Sequence, residues 1–314
     1  MKLIIQIPCF NEEQTLPQVI KDLPEEIDGI DQIEYLVIDD GSSDNTVRVA
    51  RDLGVHHILP LGTNRGLAFA FYSGINHCLE NGADIVVNTD GDNQYQGKDI
   101  EKLVAPVLDH RADIVVGARP IKSHTEFSPV KKLLQLMGSW TIRIVSKTKV
   151  KDASSGFRAL SARACRRIFI YSRFSYTMET LIQAGNSNLR VVSVDINVNP
   201  TTRKSRLFKN LFQHVTRSGV TIVKMFIMYR PGRFFSLIGT LFMFAALILG
   251  IRYLYLIFWM TEPDPERTYI PSLILVSILA FLGVISYFLA ILGELIKTQR
   301  MLSEEIISEI KWKV

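Results

Sequence analysis

Cysteine is scarce: Cys9, Cys78 and Cys165 are the only three in 314 residues. They are odd in number and far apart. That excludes a disulfide framework and a cysteine metal site, and it reads as reduced thiols in a cytosolic compartment. The six histidines form no ligand pattern either. His56 and His57 are adjacent, so on a strand they point to opposite faces. There is no internal repeat and no low-complexity stretch. The opening MKLIIQIPCFNEE does not read as a signal peptide, because its apolar part is short and runs into Asn11, Glu12 and Glu13. Acidic residues are outnumbered, 31 against 36 Lys and Arg, for a net charge of +5. A basic balance suits nucleic acid, an anionic membrane surface or a phosphate-bearing substrate.

Long apolar runs are present, and they lie late in the chain. Phe234 to Phe258 carries Arg252 as its only charge, and Ile270 to Gly293 carries none. Each exceeds the roughly 20 residues that cross a bilayer. Arg230 and Arg233 precede the first run; Lys297 and Arg300 follow the second. The linker TEPDPERT sets Glu262, Asp264 and Glu266 against Arg267. The positive-inside rule then puts the linker outside and both chain ends in the cytosol. Arg252 lies near the outer end of its run, where it can snorkel. Upstream, Phe208, Leu211, Phe212, Val215, Ile222, Val223 and Phe226 recur at spacings of three and four, among Lys204, Arg206, Lys209, Arg217 and Lys224. This reads as a basic amphipathic helix at a membrane surface, with an ordinary packing helix as the alternative. In the tail, Leu302, Ile306, Ile307 and Ile310 fall near helical spacing, which suits self-association into a homo-oligomer or a surface helix equally.

The first 120 residues alternate two periods. Apolar runs at 3–7, 34–38, 57–61, 85–87 and 114–116 predict strands. Between them, Ser43 is the expected cap of a helix to about Leu53. Gly66 to Asn81 reads as helix, and Asp99 is the expected cap of a helix to about His110. A further helix is expected around 177–184. Strand and helix in alternation predict an α/β fold with a mostly parallel sheet. In such sheets ligands bind beyond the carboxyl ends of the strands. NEE, DDGSSDNT, NRG, DGDNQ and Ala118-Arg119 each follow one of the five runs, so they should share one rim.

In VVNTDGDNQY, Asp90 and Asp92 stand one glycine apart. Paired carboxylates for acid–base work usually come from separate elements. Two at this spacing after a strand, with Gln94 adding a neutral oxygen, look like a site for a hard cation such as Mg²⁺ or Mn²⁺. So sparse a protein shell implies a ligand that brings phosphate oxygens.

Together IPCFNEEQTL, VIDDGSSDNT, the NRG stretch and TDGDNQY resemble the family-2 glycosyltransferases with a GT-A, Rossmann-like fold. The resemblance implies a nucleotide-sugar donor. Pro8 and Glu12 match its nucleotide-binding first loop, and Asp40, with Asp39 beside it, matches the acidic residue near base and ribose. Asp90 and Asp92 match the D-x-D that binds the donor diphosphate through a metal. SSGFRALS, TTRKSR and the two apolar runs resemble the polyprenyl-phosphate glycosyltransferases, the group of dolichol-phosphate mannose synthases and bacterial O-antigen glucosyl enzymes. The Q-x-x-R-W motif usual in the processive synthases of the superfamily does not occur. The implied reaction is inverting attack by a lipid phosphate, with a UDP-sugar preferred as donor and no role for nucleic acid. Arg119, Arg158, Ser155 and Arg203 are then expected at the acceptor phosphate and Arg206 at the donor diphosphate. Asp152 is expected to position the acceptor or act as a weak base. The expected organisation is a cytosolic catalytic domain over 1–204, an amphipathic segment over 205–233, two spans with an acidic outer loop over 234–296, and a cytosolic tail over 297–314, in the inner or cell membrane. A segment around 122–132 is expected to cover the acceptor. The alternatives are a glycan or protein acceptor, a non-catalytic nucleotide-sugar binding protein, and a small transporter component.

Overall fold

A computed structural model describes residues 1–120, 138–140, 142–144, 146–170, 176–199, 220, 223–224, 226–258 and 270–312. Arg203, Arg206, the 122–132 segment, the 261–268 linker and most of the basic amphipathic segment lie outside them. The chain packs as two compact units, one of Met1–Ile222 with Glu304–Val314 and one of Val223–Ser303.

The first unit is built on a seven-stranded sheet: β1 (Lys2–Cys9), β2 (Gln32–Asp39), β3 (His57–Pro60), β4 (Ile85–Asn88), β5 (Ile114–Ala118), β6 (Arg158–Ser161) and β7 (Val191–Asp195). Their order is β3-β2-β1-β4-β6-β5-β7. β1 pairs in parallel with β2 and β4, and β5 with β7; only β6 runs the other way, against β4 and β5. The five strands expected from apolar runs therefore end on one rim. β6 brings its first residue, Arg158, opposite Asn88 at that same rim.

Both faces of the sheet are covered, which is why the central strands read as continuous apolar runs. Leu3, Ile5 and Ile7 join Val37, Ile85, Val87 and Val115 in one buried cluster. Against them pack Leu16 and Val19 of α1 (Leu16–Asp22) and Ile100, Leu103 and Val104 of α4 (Ile100–Leu108). Each such side chain contributes roughly 1.5–3 kcal/mol by burial. The alternate residues face α3 (Leu67–Glu80), which comes very close: a Cβ on Gly74 would lie 2.4 Å from Gln6 Oε1 and 2.8 Å from Ile38 Cδ1.

Two expected caps are corrected. α2 spans Thr46–Asp52 and begins after Asn45, because the Asp44 carboxylate takes the Thr46 N–H at 3.0 Å while the Ser43 N–H is drawn to Asn11 Oδ1 at 2.8 Å. Asp99 does precede α4, but its carboxylate accepts the Asn197 N–H at 2.6 Å and pairs with Lys102, so it ties two segments together instead of capping. Between β6 and β7 the described residues form α5 (Ala162–Arg167) and α6 (Tyr176–Asn186).

The second unit holds α7 (Pro231–Phe258) and most of α8 (Ile270–Trp312). At 1.5 Å per residue the 28 residues of α7 reach about 42 Å. Both helices are long and apolar enough to cross a membrane. α8 continues past Gly293 without a break, so most of the tail is the end of that helix. The two helices meet through small residues. A Cβ on Gly239 would lie 3.1 Å from the Gly283 carbonyl, and Thr240 and Tyr287 share a hydroxyl hydrogen bond of 2.9 Å. Leu237, Phe244, Phe281 and Ile291 point outward and exposed.

Candidate active site at the carboxyl rim

The first two rim loops hold each other. Asn11 adopts φ 56°, a left-handed turn that asparagine tolerates, and reverses the chain after β1. Its N–H donates to Ser42 Oγ at 2.9 Å, and the Glu12 N–H donates to Thr46 Oγ1 at 2.8 Å. In return the Asn45 N–H donates to the Glu13 carboxylate at 3.0 Å. Asp39 accepts the Ser42 N–H at 3.1 Å. Asp40 holds the third loop: Oδ1 takes the Arg65 N–H at 2.7 Å and Oδ2 the Gly66 N–H at 2.9 Å. Gly41 lies between them at φ 76°, where a Cβ would lie 2.7 Å from the Asn64 nitrogen.

The glycine of Asp90-Gly91-Asp92 is where the first loop presses on the fourth. A Cβ there would meet Cys9 Sγ at 3.1 Å and Glu12 Cγ at 3.3 Å. Thr15 clamps the contact, donating to the Gly91 carbonyl at 2.7 Å and to Glu12 Oε2 at 2.8 Å. Glu12, Asp90 and Asp92 thus gather at one place. The crowding shows in Asp90, whose pKa is raised to about 7 by burial, then by Asp92 and Glu12, with Arg119 partly opposing. It shows again in the Cys9 thiol, pushed well above its usual range by burial and by four surrounding carboxylates. Asp92 accepts the Gln94 N–H at 3.2 Å, and the Gln94 carbonyl accepts the Asn199 N–H at 2.8 Å. An all-oxygen set with surplus negative charge fits a hard divalent cation. Among the described residues no group of three or more His, Cys, Asp or Glu is placed to hold a metal ion by itself. Such a cation would share its shell with a ligand's oxygens.

Across the rim, Arg119 forms a two-point ion pair with Asp152, Nε to Oδ2 at 2.7 Å and Nη2 to Oδ1 at 3.2 Å. Nη2 also donates to Ser154 Oγ at 2.8 Å. Burial alone would raise the Asp152 pKa, but the Arg119 charge and the bonds from Arg119 and Ser154 hold it below the usual carboxylate range. A carboxylate that holds its charge this firmly has little tendency to take a proton, so of the two expected roles the ion pair favours positioning over a weak base. Arg158 departs from its expected place at the acceptor phosphate. It is fully buried, with Nε on the Ser155 carbonyl at 2.8 Å, Nη2 on the Ala153 carbonyl at 2.9 Å and Nη1 on Thr180 Oγ1. Burial pushes its pKa down to about 10. It braces the 152–156 loop from inside and does not present its guanidinium to a ligand. Ser155 is fully buried as well. Arg119 keeps 13% of its side chain exposed and is the reachable cation here.

Several contributors carry no motif. Gln6 donates to Asn88 Oδ1 at 3.0 Å, and Asn88 donates to the Gly156 carbonyl at 2.9 Å. Tyr95, stacked on Phe157 at 4.8 Å, receives the Gly156 N–H at 3.4 Å. A Cβ on Gly156 would lie 2.7 Å from the Tyr176 hydroxyl and 3.2 Å from Asp90 Oδ1. This glycine therefore lets the Asp90 carboxylate and Tyr176 approach one another. The one sequence signal was a polar residue inside each of two apolar strands, Gln6 in LIIQIP and Asn88 in IVVNTD.

Residues 4–169 match the family described as Glycosyl transferase family 2, and that stretch is more than half of the chain. The chain belongs to glycosyl transferase family 2. An undecaprenyl-phosphate mannosyltransferase of Micrococcus luteus is 30% identical over 207 residues, covering 62% of this chain and 83% of its own. A UDP-N-acetylglucosamine–dolichyl-phosphate N-acetylglucosaminyltransferase of Methanococcus voltae is 29% identical over 212 residues, covering 60% and 82%. Among solved structures, a glucosyl-3-phosphoglycerate synthase of Mycobacterium tuberculosis with Mn²⁺, uridine diphosphate and glucosyl-3-phosphoglycerate shares the fold. Its TM-score is 0.55 at 17% identity, covering 72% of this chain and 78% of that one. The matched stretch of this family-2 glycosyltransferase includes Pro8, Asp40, Asp90, Arg119 and Asp152, while Tyr176, Thr180 and Asn199 lie beyond it.

Proposed function

We propose that this glycosyltransferase moves a sugar from a nucleotide-sugar donor, a UDP-sugar by preference, to a polyprenyl phosphate at a membrane surface. The observation that carries the reading is the facing of the Glu12–Asp90–Asp92 carboxylates and the Arg119 cation across one rim. Two anions must meet in such a reaction, and the site offers one region that suits a cation-bound diphosphate and one that suits a phosphate. The lipid-phosphate acceptors named for both relatives support it.

Pro8, Glu12, Asp39 and Asp40 are assigned to the nucleoside side of the donor. Asp90, Asp92 and Gln94 would hold Mg²⁺ or Mn²⁺, which supplies charge neutralisation for the leaving diphosphate. Arg119 takes the acceptor phosphate through the guanidinium edge that Asp152 does not occupy, and Asp152 and Ser154 hold it in place. Arg203 remains assigned to the acceptor and Arg206 to the donor diphosphate. A phosphate nucleophile is already ionised near neutral pH, so no strong base is required. The locked Asp152 agrees with that. α7 and α8 are proposed to cross the inner or cell membrane with both chain ends cytosolic. Their exposed apolar faces support this.

One observation favours a second reading: the solved neighbour was captured with a small phosphorylated acid derivative, glucosyl-3-phosphoglycerate. An acceptor competition separates the two. Full-length protein in vesicles, given a labelled UDP-sugar, is offered undecaprenyl phosphate and 3-phosphoglycerate together. Label in the lipid fraction supports the lipid acceptor; label only in phosphoglycerate replaces it.

A further inference from the structure

The second unit gathers cations for which the transfer reaction gives no role. Just ahead of and within the first turn of α7 the chain reads Tyr229-Arg230-Pro231-Gly232-Arg233. Pro231 rests on Gly293 of α8, where a Cβ would fall 2.4 Å from Pro231 Cβ. The Gly232 N–H donates to Glu294 Oε1 at 3.3 Å. The Arg300 guanidinium lies 4.1 Å from the Tyr229 ring centre, and Lys297 pairs with Glu294 at 3.1 Å. Arg230, Arg233, Lys297 and Arg300 therefore collect where the two helices meet. Glu294 is the one carboxylate in these contacts, and it is engaged by Lys297 and by the end of α7.

Arg230 is the unusual member. It is 9% exposed, yet among the described residues no carboxylate pairs with it. Arg233, another cation, follows one turn later and is exposed. A buried charge without a counter-ion is costly unless a partner arrives. On the same stretches of the two helices, Leu237 of α7 and Leu295 and Ile296 next to Glu294 of α8 are exposed and apolar. A ligand matching both features carries a phosphate on an apolar chain. Arginine's planar fork suits that phosphate. On the proposed membrane reading, Arg230, Arg233, Lys297 and Arg300 fall at one bilayer face, since the apolar runs begin after Arg233 and end at Gly293.

We infer that Arg230 and Arg233 bind the headgroup phosphate of an anionic membrane phospholipid, whose chains lie along the exposed apolar side chains of α7 and α8. The inference rests on the membrane reading of these helices.

The test is native mass spectrometry of the full-length protein in detergent with equal phosphatidylglycerol and phosphatidylcholine, after a check that the protein partitions into vesicles. Phosphatidylglycerol is expected to be retained preferentially. Its occupancy should fall about tenfold or more in Arg230→Gln/Arg233→Gln, and partly in Arg233→Gln alone, which changes only an exposed residue. Equal retention of both lipids, or no effect of either variant, overturns the inference. So does displacement by inorganic phosphate, which would mark a free-phosphate site. Preferential uptake of undecaprenyl phosphate overturns it too, by assigning the site to the acceptor. Failure to partition into vesicles removes the membrane reading and this inference together. Partitioning without lipid preference removes the inference alone.

Discussion

Arg119 and Asp152 meet edge to edge, guanidinium against carboxylate, with contacts of 2.7 and 3.2 Å. Asp152 is almost completely enclosed, whereas Arg119 keeps an open edge. The pair leaves a cation at the rim with its guanidinium held edge-on by the carboxylate.

Asp152→Ala leaves the Arg119 charge without its partner and should cost about 3 kcal/mol of stability. Asp152→Asn should lower transfer at every pH, with no recovery at high pH, since a proton acceptor is not what is lost. The folded-state pKa of Asp152 is depressed, so its stabilisation is complete at neutral pH. It is lost as pH falls below the ordinary carboxylate range. Urea denaturation of wild type and Asp152→Asn should therefore differ most at neutral pH and converge in acid. Parallel curves at all pH values would contradict this.

Asp90 carries a proton up to about pH 7 when no cation is bound. An unfolded aspartate loses its proton near pH 4. The native state therefore holds the extra proton between these values, and metal-free stability should fall as pH rises through that window. Mn²⁺ with UDP should release the proton near pH 7. Calorimetry in buffers of different ionisation enthalpy should detect the release in wild type and not in Asp90→Asn.

Gly156→Ala should retain the fold and lose much of its transfer activity, because the new methyl meets the Tyr176 hydroxyl and Asp90. Tyr176→Phe removes the nearer obstacle. The double variant should recover part of the activity, so a double-mutant cycle should show coupling. Additive losses would mean that the crowding is relieved elsewhere.

Gly74→Ala would gain about 1 kcal/mol from helix propensity on an open helix. Here its Cβ falls against Gln6 and Ile38, so overpacking by roughly 1–3 kcal/mol should win. A lowered Tm is the expected reading.

Much of the fold was legible because the buried parallel strands are short apolar runs with polar stops, and the chain repeats that unit five times before Arg119. That pattern placed Asp40, Asp90 and Arg119 on one rim. The difference between Arg119 and Arg158 was not legible. Both follow or begin a strand at the rim, but Arg158, the first residue of the antiparallel β6, turns inward against Ala153, Ser155 and Thr180. The bracing by Gln6, Asn88 and Tyr176 escaped for a similar reason. Those contacts join residues 68 to 88 positions apart, and no local period encodes them. Ser43 and Asp99 looked like caps because cap chemistry is local, but tertiary partners claimed the Asp99 carboxylate and the Ser43 amide.

The Asp90–Asp92 rim is proposed to activate a nucleotide sugar for attack by a lipid phosphate. Purified full-length protein, undecaprenyl phosphate, Mg²⁺ or Mn²⁺ and a panel of labelled UDP- and GDP-sugars test it, with Asp92→Ala alongside. The expected product is a glycolipid from one donor that needs the metal and is lost in Asp92→Ala. Intact nucleotide binding with no glycolipid from any donor, or a glycolipid that forms equally well in Asp92→Ala, would contradict it.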